Sequence, residues 1–204
     1  MGAAEPGRGG PDEPGFIDRP EPQGGRHEPL SRLGMLWFMA SLGALFAGSV
    51  VAFVIVRSAQ AEPAGLTLPL LLWPATLVLV VQGVVLERAA RRTAEAYRPT
   101  PELRLALALG GLFLLLQLLS WFELDLGDLP PARAALQGFT FAMLTALHGL
   151  HVVGGLLSLG WVLRRARAGA YDGGRGETLR NVATYWHFLL GVWILLFAVL
   201  GLVA

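Results

Sequence analysis

The stretch AALQGFTFAMLTALHGLHVVGGLLSLGWVL, Ala134–Leu163, runs without a single Asp, Glu, Lys or Arg. About 20 apolar residues at about 1.5 Å each carry a helix across the hydrocarbon core of a bilayer, and this stretch exceeds that length. Lipid offers the backbone no hydrogen-bonding partner, so every N–H and C=O in such a segment must be paired within it. A helix does this and a lone strand does not. Four more charge-free stretches flank it: Leu33–Val56, Pro63–Leu86, Leu105–Phe122 and Asn181–Ala204. The third in chain order is the shortest, and Arg104 and Glu123 at its ends can snorkel to the interfaces. The sequence therefore predicts an all-α integral membrane bundle of five transmembrane helices.

Composition agrees. The chain of 204 residues is 54% hydrophobic and 15% charged, where soluble domains carry roughly 25% charged residues. All 16 basic residues are Arg and there is no Cys, which excludes disulfides, thiolate metal sites and redox thiols. No nucleic-acid partner is expected. Residues 1–32 are rich in Gly, Pro, Glu and Arg and offer almost nothing to bury, so they are expected to form a disordered tail ahead of a membrane domain over residues 33–204. Ala59-Gln60-Ala61 resembles a signal-peptide cleavage site. A signal's apolar region is about 7–15 residues, however, and Leu33–Val56 is far longer, so it reads as a spanning helix.

The Arg residues alternate strictly by side. The tail, the loop after the second span and the loop after the fourth hold 4, 5 and 5 of them, against Arg57 and Arg133 on the other side. The positive-inside rule then places the N-terminus in the cytoplasm and the C-terminus outside.

No phosphate loop, nucleophile–base set or carboxylate pair is present, and every acidic residue falls in the tail, a loop or a helix end. The only ionisable residues at depth are His148, His151 and His187. His148 and His151 stand three apart and share roughly one helix face. Three roles are open to them: haem or metal ligands supplied by two helices, a proton relay, or imidazoles hydrogen-bonded across helix contacts. A relay would need a carboxylate partner, and none is expected inside the membrane. The first span also carries Ala40, Ala44, Gly48 and Ala52 at four-residue spacing, and the fourth has Ala142, Ala146, Gly154 and Ser158 in similar phase. Both are small-residue ladders that let another backbone approach.

The run from Phe139 through Thr145 to His148-Gly149-Leu150-His151-Val152, with Gly154-Gly155, resembles the Thr-x-x-His-Gly-x-His-Val-x-x-Gly motif of cytochrome c oxidase subunit III. Tyr185-Trp186-His187-Phe188, followed by Trp193, is similar to that family's closing motif, and Arg164-Arg165-Ala166-Arg167 with Tyr171 occupies its basic loop. Weaker matches cover the rest: Gly34 to Ser41 with Phe46-Ala47-Gly48, Leu68-Pro69 with Thr76, and Phe113 with Gln117. The resemblance spans residues 33–204 and fits the short bacterial form with five helices.

The chain departs from the family at three intramembrane acids, where Leu42, Ser120 and Leu190 stand instead. The resemblance implies an accessory, non-catalytic subunit of a haem–copper terminal oxidase in aerobic, proton-translocating respiration. It would bind no haem or copper itself, those lying in partner subunits. It would pack on catalytic subunit I beside membrane lipids in a bacterial cytoplasmic membrane. Thr145, His148, Gly149, His151, Gly154, Gly155, Tyr185, Trp186, His187, Phe188 and Trp193 would then be structural and interface residues. The missing acids keep open a related accessory subunit of a nitric oxide reductase. An independent haem-b cytochrome using His148 or His151 with His187 is the reading from another class.

Overall fold

The computed structural model describes residues 27–59, 68–93, 99–124, 131–168 and 177–203. All regular structure among them is helical: α1 (His27–Ser58), α2 (Leu72–Thr93), α3 (Thr100–Ser120), α4 (Pro131–Arg167) and α5 (Glu177–Val203). All five helices are long and apolar enough to cross a membrane. Residues 1–26, most of the tail expected to be disordered, lie outside the described residues, while residues 27–32 already belong to α1.

The helices do not end where the charges begin. The second span was expected at Pro63–Leu86, but α2 starts at Leu72 and continues to Thr93 through Glu87, Arg88, Arg91 and Arg92. Tight turns that pair Leu72 N with Pro69 O and Trp73 N with Leu70 O precede it. Charge marks where lipid ends, whereas a helix continues as long as its backbone bonds do. The basic side chains at the end of α2, and Arg164, Arg165 and Arg167 in the last turn of α4, also favour the negative end of their helix dipoles. α3 opens on Pro101, whose missing N–H is one that no helix start can pair internally. At its far end Glu123 accepts a hydrogen bond from Leu71 N at 3.0 Å, so its carboxylate caps the entry to α2 as well as reaching the interface.

α2 and α3 lie side by side, α4 packs on α3, and α5 packs on α2 and α4. Among the described residues, α1 packs on α4 and α5 alone, and its Leu42, Phe46 and Phe53 are buried. Its small-residue ladder does not serve that contact. Ala40, Ala44, Gly48 and Ala52 are all exposed, and a Cβ added at Gly48 would meet nothing within 4 Å. Helices α1 to α5 also expose large apolar side chains, among them Trp37, Leu77, Leu115, Leu157 and Leu195. The bundle is thus apolar outside and holds polar groups within, which is the arrangement expected when the surroundings are lipid.

Candidate functional site

The polar side chains buried in the bundle are few, and most stand in one region: Gln82 on α2, Gln117 and Ser120 on α3, and Thr145 and His148 on α4. Gln117 and Thr145 meet where α3 and α4 pack, while Gln82 of α2 lies against Gly110 of α3, 2.8 Å from the place of a Cβ. Gln117 Nε2 donates to the Thr145 carbonyl, and Trp121 Nε1 donates to Thr145 Oγ1 at 3.0 Å, so α3 is tied twice to one residue of α4. Thr145 Oγ1 in turn donates to its own helix at Phe141 O, 2.8 Å away. Gly149, one turn on, lets α3 come close: a Cβ there would lie 3.0 Å from Gln117 Nε2.

His148 is fully buried. Its ring is enclosed by Phe46 of α1 at 6.2 Å, Phe113 of α3 at 5.7 Å edge-on, and Trp193 of α5 at 5.0 Å. Neither ring nitrogen has a hydrogen-bond partner among the described residues. Trp193, itself fully buried, packs edge-on against Phe113 at 4.9 Å. Its indole donates to Thr76 Oγ1 of α2 at 2.9 Å. One aromatic cluster therefore joins four helices around an imidazole, with a fifth attached through an indole hydrogen bond.

The remaining motif residues build the α4–α5 seam. Tyr185 OH donates to the His151 carbonyl at 3.0 Å. Trp186 packs against Gly155, where a Cβ would come within 2.9 Å of the indole ring. Gly154 faces Tyr185 more loosely, at 4.0 Å from its hydroxyl. Phe188 packs toward Gly43 of α1, 3.9 Å from the place of a Cβ.

The histidines do not make the bonds between helices expected of them. His151 Nδ1 lies 2.7 Å from Leu147 O, and His187 Nδ1 lies 2.6 Å from Ala183 O, each one turn back on its own helix. His148 makes none. The reason is geometric: the carbonyl four residues back is within reach of a helical side chain, and the neighbouring helices present aromatic rings to His148 and His151. Side-chain hydrogen bonds between helices come instead from Gln117, Trp121, Tyr185 and Trp193, and at the rim from Arg92 of α2, which donates to Glu102 of α3 at 3.1 Å.

A second correction concerns the carboxylate. Glu87, near the end of α2, brings Oε2 to 3.9 Å from His187 Nε2 of α5, so an acid does stand beside one motif histidine. Glu87 is bound more closely to Arg91 Nε, at 2.6 Å. Sequence reasoning missed Glu87, Trp121 and Gln82. The sequence marks Thr76, Gln117, Phe46 and Phe113, but not that Phe46 and Phe113 close on His148 while Thr76 bonds Trp193 and Gln117 bonds Thr145.

His187 and His148 are not brought together. Trp193, about 9 Å further along α5 at 1.5 Å per residue, faces His148 in its place. Among the described residues, no group of three or more His, Asp or Glu side chains comes together. At the three departures, Leu42 is buried in the core and Leu190 packs over Gly83. Ser120 Oγ donates to Gln117 O at 2.6 Å, within its own helix. Apolar contact and a local hydrogen bond thus fill the places of three acids.

Residues 30–202 match the family model described as cytochrome c oxidase subunit III. This chain belongs to the cytochrome c oxidase subunit III family. It is similar to cytochrome c oxidase subunit 3 of Synechocystis sp., 32% identical over 84% of this chain and 75% of that one. It is also similar to the subunit 3 of Thermostichus vulcanus, 28% identical over 85% of this chain and 88% of that one, and to that of Petromyzon marinus, 31% identical over 81% and 67%. These relatives make it a subunit III of a haem–copper oxidase, a multi-pass membrane protein within an oxidase complex.

Proposed function

We propose that the chain is the accessory, non-catalytic subunit III of an aerobic terminal oxidase in a bacterial cytoplasmic membrane. Its Arg-rich face and N-terminus would be cytoplasmic, and it would pack on and stabilise catalytic subunit I. Haem and copper belong to the partner subunits in this reading, with cytochrome c as donor, and membrane lipids line the faces that subunit I leaves open.

The observation that carries the reading is the enclosure of His148. The ionisable residue at the heart of the family motif is fully buried and boxed by Phe46, Phe113 and Trp193. Aromatic rings from three helices fill the space around the imidazole, which supports reading it as a packing element. The exposed apolar faces of all five helices supply the surface that a membrane partner and lipid would cover. The 14-to-2 division of Arg supports the orientation.

The test is isolation of the complex through an affinity tag placed after Ala204. The expected result is co-isolation of a haem–copper subunit that carries the whole absorbance spectrum. Membranes lacking this chain should yield an oxidase with the same spectrum that loses activity sooner during turnover. A haem band that stays with the isolated chain would overturn the reading in favour of an independent cytochrome.

A further inference from the structure

Between α1, α4 and α5, at the Arg-rich end of the bundle, lies a cavity of about 360 Å³. Met35 and Phe38 of α1, Gly154 and Ser158 of α4, and Asn181 and Tyr185 of α5 line it. We propose that this cavity is a docking site for the chain's own N-terminal segment. Phe16 and Ile17 enter it, and Asp18 pairs with Arg165.

The lining selects an apolar peptide. The Phe38 and Tyr185 rings stand 6.1 Å apart, and Phe38 is exposed. A Cβ added at Gly154 would meet only the Tyr185 hydroxyl, 4.0 Å away, so that wall is open. An apolar cavity of about 150 Å³ accepts benzene, so this one has room for a phenyl ring and a second apolar side chain. Met1, Phe16 and Ile17 are the large apolar side chains of residues 1–26, and Phe16 and Ile17 are adjacent. The lining also includes the polar side chains of Thr178 and Asn181. The Asn181 amide offers both a donor and an acceptor to a peptide backbone, which an acyl chain could not use.

Position and reach agree with this occupant. Thr178 opens the last span, and Met35 stands two residues into the first, which begins at Leu33. The cavity therefore lies at the end of the bundle where the N-terminal segment joins α1 at His27. From His27 to Met35 and Phe38 the helix rises about 12–17 Å. His27 comes 11 positions after Phe16 (27 − 16), and a flexible linker of that length has a root-mean-square span of about 17–20 Å. Effective concentration is highest when linker span and site distance match in this way. Gly24-Gly25 stands just ahead of His27, where the chain has to reverse.

Charge fixes the direction of entry. Residues 11–21 hold Asp12, Glu13, Asp18 and Glu21 against Arg19 alone. From the cavity wall, Gly154 and Ser158 lead along one face of α4 to Trp161 and Arg165, at spacings of four, three and four. The Arg165 guanidinium lies 4.9 Å over the Trp161 ring. Stacking takes its flat face and leaves its N–H edge for a carboxylate.

The chain has no cysteine, so engineered pairs report without background. Gly15→Cys with Gly154→Cys is oxidised by copper phenanthroline in the native membrane. The comparison is Gly15→Cys with Thr184→Cys, because Thr184 borders Tyr185 in sequence but lines the opposite side of α5, toward α2. The first pair should form an intramolecular disulfide about tenfold faster. Adding Phe16→Ser with Ile17→Ser should slow it to the rate of the second pair. Asp18→Asn or Arg165→Gln should each slow it about threefold. Equal rates for the two pairs, or a rate indifferent to Phe16→Ser with Ile17→Ser, would overturn the docking and leave the cavity to lipid. A disulfide joining two chains, seen as a dimer band, would overturn its intramolecular form. A rate unchanged in both charge variants would overturn the pairing of Asp18 with Arg165.

Discussion

His148 and His187 belong to neighbouring motifs of one chain, and the structure treats them in opposite ways. His148 is sealed among Phe46, Phe113 and Trp193 with both nitrogens unpartnered. His187 is exposed, with Nδ1 on its own helix and Nε2 toward Glu87 and a polar pocket. At the first position the imidazole serves by its shape, and at the second by the polar contacts it makes. Depth along the span decides between these roles, because the cost of an unpaired polar group and the strength of an ion pair both depend on access to water.

The sealed region should answer to volume. Gly155 is the sharpest case, since a Cβ there would lie 2.9 Å from the rigid Trp186 ring and 3.3 Å from Tyr185. Gly155→Val should separate α4 from α5, costing more than the roughly 1–3 kcal/mol typical of overpacking. The expected outcome is loss of the chain from the purified complex. Gly160→Ala is the matched control on the same helix, because a Cβ there meets nothing within 4 Å. Subunit content measured by quantitative gel for both variants would break the comparison if the two behaved alike.

His148→Ala should be next, at about 2–5 kcal/mol, the range for emptying a large core position. His148→Phe keeps a planar ring of somewhat larger size and removes two unpartnered nitrogens, so it should be far closer to neutral than His148→Ala. Thermal unfolding in detergent separates the pair. A Phe variant as unstable as the Ala variant would mean that the nitrogens matter after all.

A smaller effect is expected at the indole tie. Thr76→Val removes the acceptor of the Trp193 bond and leaves a buried N–H unpaired, at about 1–3 kcal/mol. Chemical denaturation reads it.

The rim should respond least. Glu87 and His187 side chains are each about two-fifths exposed, and exposed ion pairs contribute about 0–1 kcal/mol. His187→Gln should therefore leave melting nearly unchanged. A loss as large as that of His148→Ala would erase the distinction drawn between the two histidines.

The contrast also marks what the sequence reveals. The spans are legible because a bilayer imposes a length and a composition on each helix separately. Two ordered motifs on consecutive helices carry the family. Helix ends are harder, since α2 winds through four charged residues that mark the lipid boundary and not the last backbone bond. The partners of the motif residues are harder still. Trp193 finds Thr76 across 117 positions of sequence, and Glu87 reaches His187 from another helix. No local pattern announces either pairing. The ladder of Ala40, Ala44, Gly48 and Ala52 shows the converse, because small residues permit close approach without requiring it, and within this chain they stay exposed.

The central claim is that His148 is a packing element in a subunit without a redox centre of its own. The most direct test is the His148→Phe complex, with subunit content, absorbance spectrum and turnover measured in one preparation. The account predicts full content, an unchanged haem spectrum and retained activity. A complex of full content whose haem spectrum is shifted or whose turnover is lost would contradict it.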